Sequence, residues 1–117
     1  HLIDSVGKKI KVVNAVKDAL QLENVTAEQL RAEAIRNKKY DFVISRAVAP
    51  LSELWKWSKP LIKRGNDLEL PNGLICLKRG DLHQEISESG CRPHLIELHK
   101  IFSEDFFKEK YLLHVGV

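Results

Sequence analysis

Apolar residues recur along this chain at two spacings, either in short continuous runs or at every third or fourth position. A short run at residues 1–5 ends in the polar pair Asp4 and Ser5, which predicts a strand with a polar end. Residues 6–22 then place apolar side chains at helical spacing and lysines on other faces, which predicts an amphipathic helix with a basic side. The apolar face of this helix comprises Val6, Ile10, Val13, Val16 and Leu20.

Later apolar runs predict the remaining strands of a sheet. Residues 41–47 and residues 74–77 contain continuous apolar runs, which indicate strands buried on both faces, as in parallel sheets. Residues 94–101 and residues 111–117 lie close together along the chain and predict an antiparallel hairpin.

Two helices and one ambiguous stretch complete the pattern. Pro50 suits the first turn of a helix, and Pro60 should kink or shorten that helix. A short helix is predicted over residues 81–88. Residues 24–35 fit a strand and a short helix alike, because the sequence TAEQ imitates a capping box. The element order predicts an α/β fold whose sheet is mostly parallel and has an antiparallel end.

The composition limits the classes of protein to which this chain can belong. With 117 residues, of which 44% are hydrophobic, the chain has room for one domain with one core. No apolar run approaches the about 20 residues that cross a bilayer, so we expect a soluble, cytoplasmic protein with no membrane partner. Cys76 and Cys91 have neither metal-site nor disulfide-framework spacing. The net charge of +3 permits nucleic-acid binding without requiring it.

Candidate site residues lie at the carboxyl ends of the predicted strands, because open parallel sheets bind ligands beyond those ends. Asp4 follows the first strand, and its carboxylate can accept hydrogen bonds from both hydroxyls of a ribose. The alternative is that Asp4 caps the first helix. Lys8 opens the same helix, where the macrodipole disfavours a cation, so a nearby anion or solvent must compensate its charge.

Three basic residues follow the continuous apolar strands. A guanidinium at the end of an apolar strand, as at Arg46, costs free energy unless it contacts a carboxylate, a phosphate or an aromatic face. Arg46 is therefore a candidate binding residue. The alternative is a salt bridge from Arg46 to Asp41 or Glu33. Lys78 and Arg79 precede a glycine and suit either a phosphate-binding rim or a solvated turn.

The sequence offers no set of nucleophile and base. It contains no Ser-His-Asp or Cys-His arrangement and no pair of carboxylates placed for hydrolysis. A transfer reaction that needs no side-chain nucleophile fits this absence. Catalysis of such a transfer would depend on positioning the reactants.

Four motifs together resemble one protein family. They are LIDSVGKK at residues 2–9, RAE at residues 31–33, VISRA at residues 43–47 and LKRG at residues 77–80. In this order and spacing they are similar to the bacterial ribosomal RNA small-subunit methyltransferase G family, also called glucose-inhibited division protein B. Each motif is weak by itself, whereas the set is specific, and the resemblance covers essentially all 117 residues.

The resemblance implies a class I, Rossmann-like methyltransferase fold, with S-adenosyl-L-methionine as the methyl donor. The implied acceptor is N7 of a guanine in small-subunit ribosomal RNA. It also implies a short strand through residues 29–31. The implied cofactor-binding residues are Asp4 on the ribose side, Ala32 and Glu33 at the adenosine, and Arg46. Around the cleft for cofactor and RNA the resemblance implies the basic residues Lys8, Arg31 and Lys78. The phosphate-rim argument adds Arg79 as an RNA-binding residue.

Part of the family pattern has no counterpart in this sequence. The first strand, the glycine-rich loop that holds the methionine end of the cofactor, and the N-terminal helices are missing, and the chain contains no methionine. We therefore expect a C-terminal part of a longer methyltransferase domain, with little methyl transfer on its own. Loss of the first strand would leave an unpaired sheet edge, which predicts self-association.

Two other functions remain open from the residues alone. A non-catalytic, basic α/β module that binds RNA would also account for the lysines and Arg46. Part of a nicotinamide-dependent dehydrogenase would account for Asp4, because an acidic residue at a strand end also suits the ribose of a dinucleotide.

Overall fold

The chain forms two compact units in the computed structural model, which describes residues 1–46, 49–65 and 69–117. Unit 1 comprises His1–Asn37 and unit 2 comprises Lys38–Val117. Both units combine strands with helices, so the predicted α/β class is confirmed. No helix among the described residues is long and apolar enough to cross a membrane.

Unit 1 contains two parallel strands and one long helix. Strand β1 spans Leu2–Asp4, helix α1 spans Gly7–Ala19 and strand β2 spans Ala27–Gln29. Helix α1 ends earlier than predicted because Gln21 adopts a left-handed backbone with φ 53°. The amide of Gln21 donates to the carbonyl of Asp18 at 3.1 Å, and that of Leu22 donates to the carbonyl of Lys17 at 3.0 Å. These bonds form a Schellman motif that caps the helix.

The expected strand through residues 29–31 is wrong in its position. Strand β2 lies earlier and ends at Gln29, opposite Asp4, the last residue of β1. The amide of Leu30 still donates to the carbonyl of Asp4 at 3.0 Å. Beyond that bond β1 offers no further backbone partner, and the chain turns into a 3₁₀ helix at Ala32–Ala34.

Unit 2 is built on a four-stranded sheet. Its strands lie in the order β3, β4, β6, β5, and β3 runs parallel to β4. The other two pairings are antiparallel, which confirms the predicted antiparallel end. Among the described residues of both units, two strand pairs are parallel and two are antiparallel. The prediction of a mostly parallel sheet is therefore not met by the described strands. The strands are β3 Phe42–Arg46, β4 Gly73–Arg79, β5 His94–Glu97 and β6 Lys110–Gly116.

Two helices cover one region of this sheet. Helix α2 spans Leu51–Ser58 directly after Pro50, and helix α3 spans His83–Ser89. The α-helical geometry of α2 stops before Pro60, which lies in a 3₁₀ helix at Lys59–Leu61, so the predicted shortening is confirmed. The centre of the core consists of the fully buried side chains Leu51, Leu74, Cys76 and Leu113.

Two strand predictions need correction. Strand β3 was expected to be buried on both faces, yet it is an edge strand of the described sheet and Ile44 is 75% exposed. Residue 47, the last of this predicted strand, lies outside the described residues. Strand β5 ends at Glu97, because the amides of the residues at 101 and 102 both donate to the carbonyl of Leu98 and turn the chain out of the sheet. Two 3₁₀ helices follow, at Leu98–Lys100 and Asp105–Phe107.

Candidate functional site

Asp4 lies at the carboxyl end of β1, as predicted. Its Oδ1 accepts a hydrogen bond from the amide of Val6 at 2.8 Å, so the side chain closes the turn before α1. Val6 itself is the N-cap residue, and Asp4 lies two positions before it. The other oxygen, Oδ2, is 3.9 Å from the Lys9 ammonium, and the side chain is 34% exposed. One carboxylate oxygen is therefore oriented by the backbone, and the other can accept from a ligand.

Gln29 is a residue of this turn that the sequence did not single out. It lies opposite Asp4 in the strand pair, and its side-chain amide donates to the carbonyl of Ser5 at 3.2 Å. A Cβ at Gly7 would lie 2.9 Å from Gln29 Oε1, so the turn and the Gln29 side chain approach closely. Only the strand register brings these residues together, and no sequence signal predicts that register.

The three residues of the RAE motif surround the start of the short 3₁₀ helix. Ala32 and Glu33 open the helix, and Arg31 directly precedes it. Arg31 Nη1 lies 3.5 Å from Glu33 Oε1, and both side chains are largely exposed. An exposed pair of this kind is worth little energy, so either side chain is free to exchange its partner for a ligand.

Lys8 is exposed in the first turn of α1. That turn carries no acidic residue, and within residues 1–46, 49–65 and 69–117 the Lys8 ammonium forms no hydrogen bond or ion pair. The Lys8 ammonium therefore has no partner to leave among these residues, which leaves it available for an anion.

In unit 2, Arg46 and Arg79 lie at the carboxyl ends of neighbouring parallel strands. Arg46 is the last residue of β3 and pairs in register with Leu77 of β4, two residues before Arg79. Both guanidinium side chains are exposed, and neither has an ion-pair or hydrogen-bond partner in the part of the chain that the structure describes. Parallel pairing therefore brings together two cations that are far apart in sequence.

The carboxylates of the two alternative partners considered for Arg46 each lie beside a basic residue of their own unit. The Asp41 carboxylate instead lies 3.9 Å from the Lys63 ammonium. The Glu33 carboxylate lies beside Arg31, as described above.

Lys78 differs from the neighbouring arginines because it is almost fully buried. Its side chain is 9% exposed, and its ammonium lies 3.1 Å from Glu85 Oε2 on α3. The ammonium also donates to the carbonyl of Ala49. The same Glu85 oxygen accepts the amide of Leu51 at 3.2 Å. The predicted RNA-binding role of Lys78 stays a prediction, and its donors are engaged inside unit 2.

Sequence reasoning missed Glu85, although one signal was available. Glu85 lies three residues after Leu82 and directly before Ile86, so it shares the apolar side of α3. Leu82 is buried and Ile86 packs against the core. A carboxylate on such a face requires a partner, and the cation before the helix is an obvious candidate.

A left-handed glycine follows the basic pair. Gly80 has a φ of 80°, a backbone conformation that strains other residues, and a Cβ there would meet nothing within 4 Å. Its amide donates to the carbonyl of Glu109 at 2.8 Å. The strand end that carries Arg79 is therefore fixed by backbone geometry.

The described side chains can bind an anionic or polar ligand but have no metal-site geometry. Within residues 1–46, 49–65 and 69–117, no three His, Cys, Asp or Glu residues group closely enough to hold a metal ion. Unit 1 offers a carboxylate and exposed basic residues, and unit 2 offers two free guanidinium groups.

Comparison with known proteins identifies relatives over the whole chain. Residues 1–104 match the family described as rRNA small subunit methyltransferase G. The ribosomal RNA small subunit methyltransferase G of Phocaeicola vulgatus is 45% identical over 117 residues, which are 100% of this chain and 56% of that protein. The enzyme of the same name from Porphyromonas gingivalis is 47% identical over 115 residues, covering 97% of this chain and 52% of that protein.

These relatives are longer than this chain. The chain spans about half the length of the curated relatives it matches, as the shares of 56% and 52% indicate. The matches nevertheless extend over nearly all of this chain and include the four motifs that carry the resemblance. The chain therefore belongs to the rRNA small subunit methyltransferase G family.

Proposed function

We propose that the whole protein to which this chain belongs transfers a methyl group from S-adenosylmethionine to N7 of a guanine in small-subunit ribosomal RNA. The observation that supports this most strongly is the family match over residues 1–104. We further propose a Rossmann-like methyltransferase domain, of which the two units are parts, in a cytoplasmic protein.

In unit 1, Asp4 is the proposed ligand of the cofactor ribose. The fit is supported by its position at the end of β1 and by the amide of Val6, which orients one oxygen at 2.8 Å. The other oxygen has only a distant partner in Lys9, at 3.9 Å, and can accept from ribose hydroxyls. Ala32 and Glu33 are the proposed contacts of the adenosine, on the strength of the motif that they match.

In unit 2, Arg46 is the proposed further cofactor residue. Its exposed guanidinium has no partner among the described residues and can donate to a carboxylate or a phosphate. Arg79, Lys8 and Arg31 are the proposed RNA contacts, because each presents an exposed cation. Lys78 is the remaining predicted RNA contact, and its side chain is almost fully buried beside Glu85.

The proposed reaction requires no nucleophile or base from the side chains of this chain. When bound, S-adenosylmethionine supplies an electrophilic methyl group, and guanine N7 supplies the lone pair that attacks it. No side chain has to remove a proton first, so the residues of this chain would act by binding, orienting and excluding water. The absence of a recognisable nucleophile or base from the sequence agrees with such a reaction.

A transfer assay tests this proposal. The whole protein is incubated with methyl-tritiated S-adenosylmethionine and small subunits that lack the modification, and tritium in the RNA is counted. We expect incorporation that decreases in Arg46→Ala and persists in Lys56→Ala, a matched exposed cation on α2. RNA binding without any incorporation would instead favour the non-catalytic RNA-binding module. The family match gives the dehydrogenase alternative no support.

The chain in isolation is proposed to be inactive and to self-associate. The family's glycine-rich loop has no counterpart in its sequence, so the cofactor would lack its backbone contacts. Strand β3 is an edge of the described sheet and carries the exposed Ile44, which favours pairing with another copy. Robust turnover in the tritium assay would overturn the first proposal, and a monomer in light scattering would overturn the second.

A further inference from the structure

A buried network joins three elements of unit 2 around Pro50. The Lys78 ammonium, at the end of β4, contacts Glu85 Oε2 on α3 at 3.1 Å and donates to the carbonyl of Ala49. Glu85 Oε2 also accepts the amide of Leu51, the first residue of α2, at 3.2 Å. The network thus holds the backbone on both sides of Pro50, at the start of α2.

The burial of this network favours a role inside the protein over a role at its surface. The Lys78 side chain is 9% exposed and that of Glu85 is 28% exposed. An ammonium removed from water requires an opposite charge, and Glu85 provides it. To contact an RNA phosphate, Lys78 would have to leave both Glu85 and the Ala49 carbonyl, whereas Arg79 is exposed and has no described partner to leave.

The carboxylate also stabilises the start of α2. The first amides of a helix have no partner within the helix, and a negative charge near them interacts favourably with the helix dipole. The N-cap residue of α2 is Pro50, which has no side-chain acceptor to offer. Glu85 therefore supplies from another helix the acceptor that the local sequence lacks.

We propose that Lys78 and Glu85 are positioning residues for Arg46. They hold the backbone at Ala49 and Leu51 and the end of β4, where Leu77, the strand partner of Arg46, directly precedes Lys78. They thereby fix the orientation of Arg46 for the cofactor. The cofactor role of Arg46 is part of the proposed function, and this inference rests on it. A Lys78 that binds phosphate directly predicts a different effect of removing the Glu85 carboxylate. In that case Glu85 competes with RNA for Lys78, and its removal would strengthen RNA binding. If Glu85 is instead a positioning residue, its removal weakens cofactor binding.

The test uses Lys78→Met, Glu85→Gln and the double variant in the whole protein. Glutamine retains an oxygen that can accept the Leu51 amide and loses only the charge, and methionine retains the apolar stem of lysine. Affinity for S-adenosylmethionine is measured by calorimetry. We expect each single variant to weaken it by about tenfold, with no further loss in the double variant, because the two residues act as one unit.

RNA affinity as a function of salt separates the two roles. The slope of log affinity against log salt should stay unchanged in Lys78→Met, because no phosphate contact is lost. A slope reduced by about one, together with tighter RNA binding in Glu85→Gln, would overturn the proposal in favour of a direct phosphate contact. Unchanged cofactor affinity in both single variants would overturn it as well.

A readout without ligand distinguishes this inference from the proposed function. The amide of Leu51 should exchange with solvent faster in Lys78→Met than in the parent, because Glu85 loses the cation that holds it. Unchanged exchange at Leu51 would contradict the network itself. If the parent binds no S-adenosylmethionine, the proposed function fails whatever the exchange result, and the claim about Arg46 fails with it.

Discussion

Leu113 should be among the most sensitive positions of unit 2. It is fully buried on β6, between β4 and β5, where it pairs in register with Cys76 and Leu95. Substitution by alanine removes the equivalent of about three methylene groups, worth roughly 2.4 kcal/mol in transfer free energy. The cavity that remains adds to this loss, so we expect Leu113→Ala to lower the free energy of unfolding by about 3–4 kcal/mol.

Urea denaturation followed by tryptophan fluorescence measures this loss. Trp55 and Trp57 both pack against the same core cluster, so their emission reports on unit 2. Ile101→Ala is the matched control, because Ile101 is 61% exposed and its truncation should change the free energy by less than about 0.5 kcal/mol. A loss for Leu113→Ala within about 0.5 kcal/mol of the control would refute the assignment of Leu113 to the centre of the core.

Four further predictions concern surface charge, the cofactor and the thiols. Arg79→Ala should reduce the slope of log RNA affinity against log salt by about one, while Lys56→Ala leaves this slope unchanged. Equal slopes for the two variants in filter-binding assays would exclude a phosphate contact of Arg79. Asp4→Asn should weaken S-adenosylmethionine binding by about tenfold in calorimetry, because an amide offers one acceptor oxygen where the carboxylate offers two; unchanged affinity would remove Asp4 from the site. Burial raises the pKa of the Cys76 thiol above its ordinary value of 9.0, so iodoacetamide at neutral pH should alkylate the half-buried Cys91 first. The pKa of Cys76 is higher in the folded than in the unfolded state, so its contribution to stability should be complete below the ordinary pKa and should decline as pH rises through the folded-state pKa. Urea midpoints that rise with pH over this range would contradict the predicted decline.

The sequence predicted the elements best where one physical signal dominates. The apolar spacing predicted α1, and the proline at position 60 predicted the end of α2, since proline cannot continue the hydrogen-bond ladder. The polar residues after apolar runs correctly predicted strand ends that carry Asp4, Arg46 and Arg79. These features depend on neighbours within a few residues along the chain.

The features that the sequence could not predict depend on contacts across the fold. The end of β2 is set by the length of β1, which leaves no backbone partner for Arg31. The exposure of Ile44 depends on β3 lying at a sheet edge, and an apolar run looks the same at an edge and at the centre. The burial of Lys78 depends on Glu85, which reaches it only because α3 packs beside the start of α2.

The most direct test of the proposed function is nucleoside mass spectrometry of small-subunit RNA. Subunits that lack the modification are treated with the whole protein and S-adenosylmethionine, and the RNA is digested to nucleosides. We predict that 7-methylguanosine increases toward one residue per subunit and that no increase occurs without S-adenosylmethionine. A different methylated nucleoside, or none, from protein that binds both RNA and S-adenosylmethionine would contradict the proposed function.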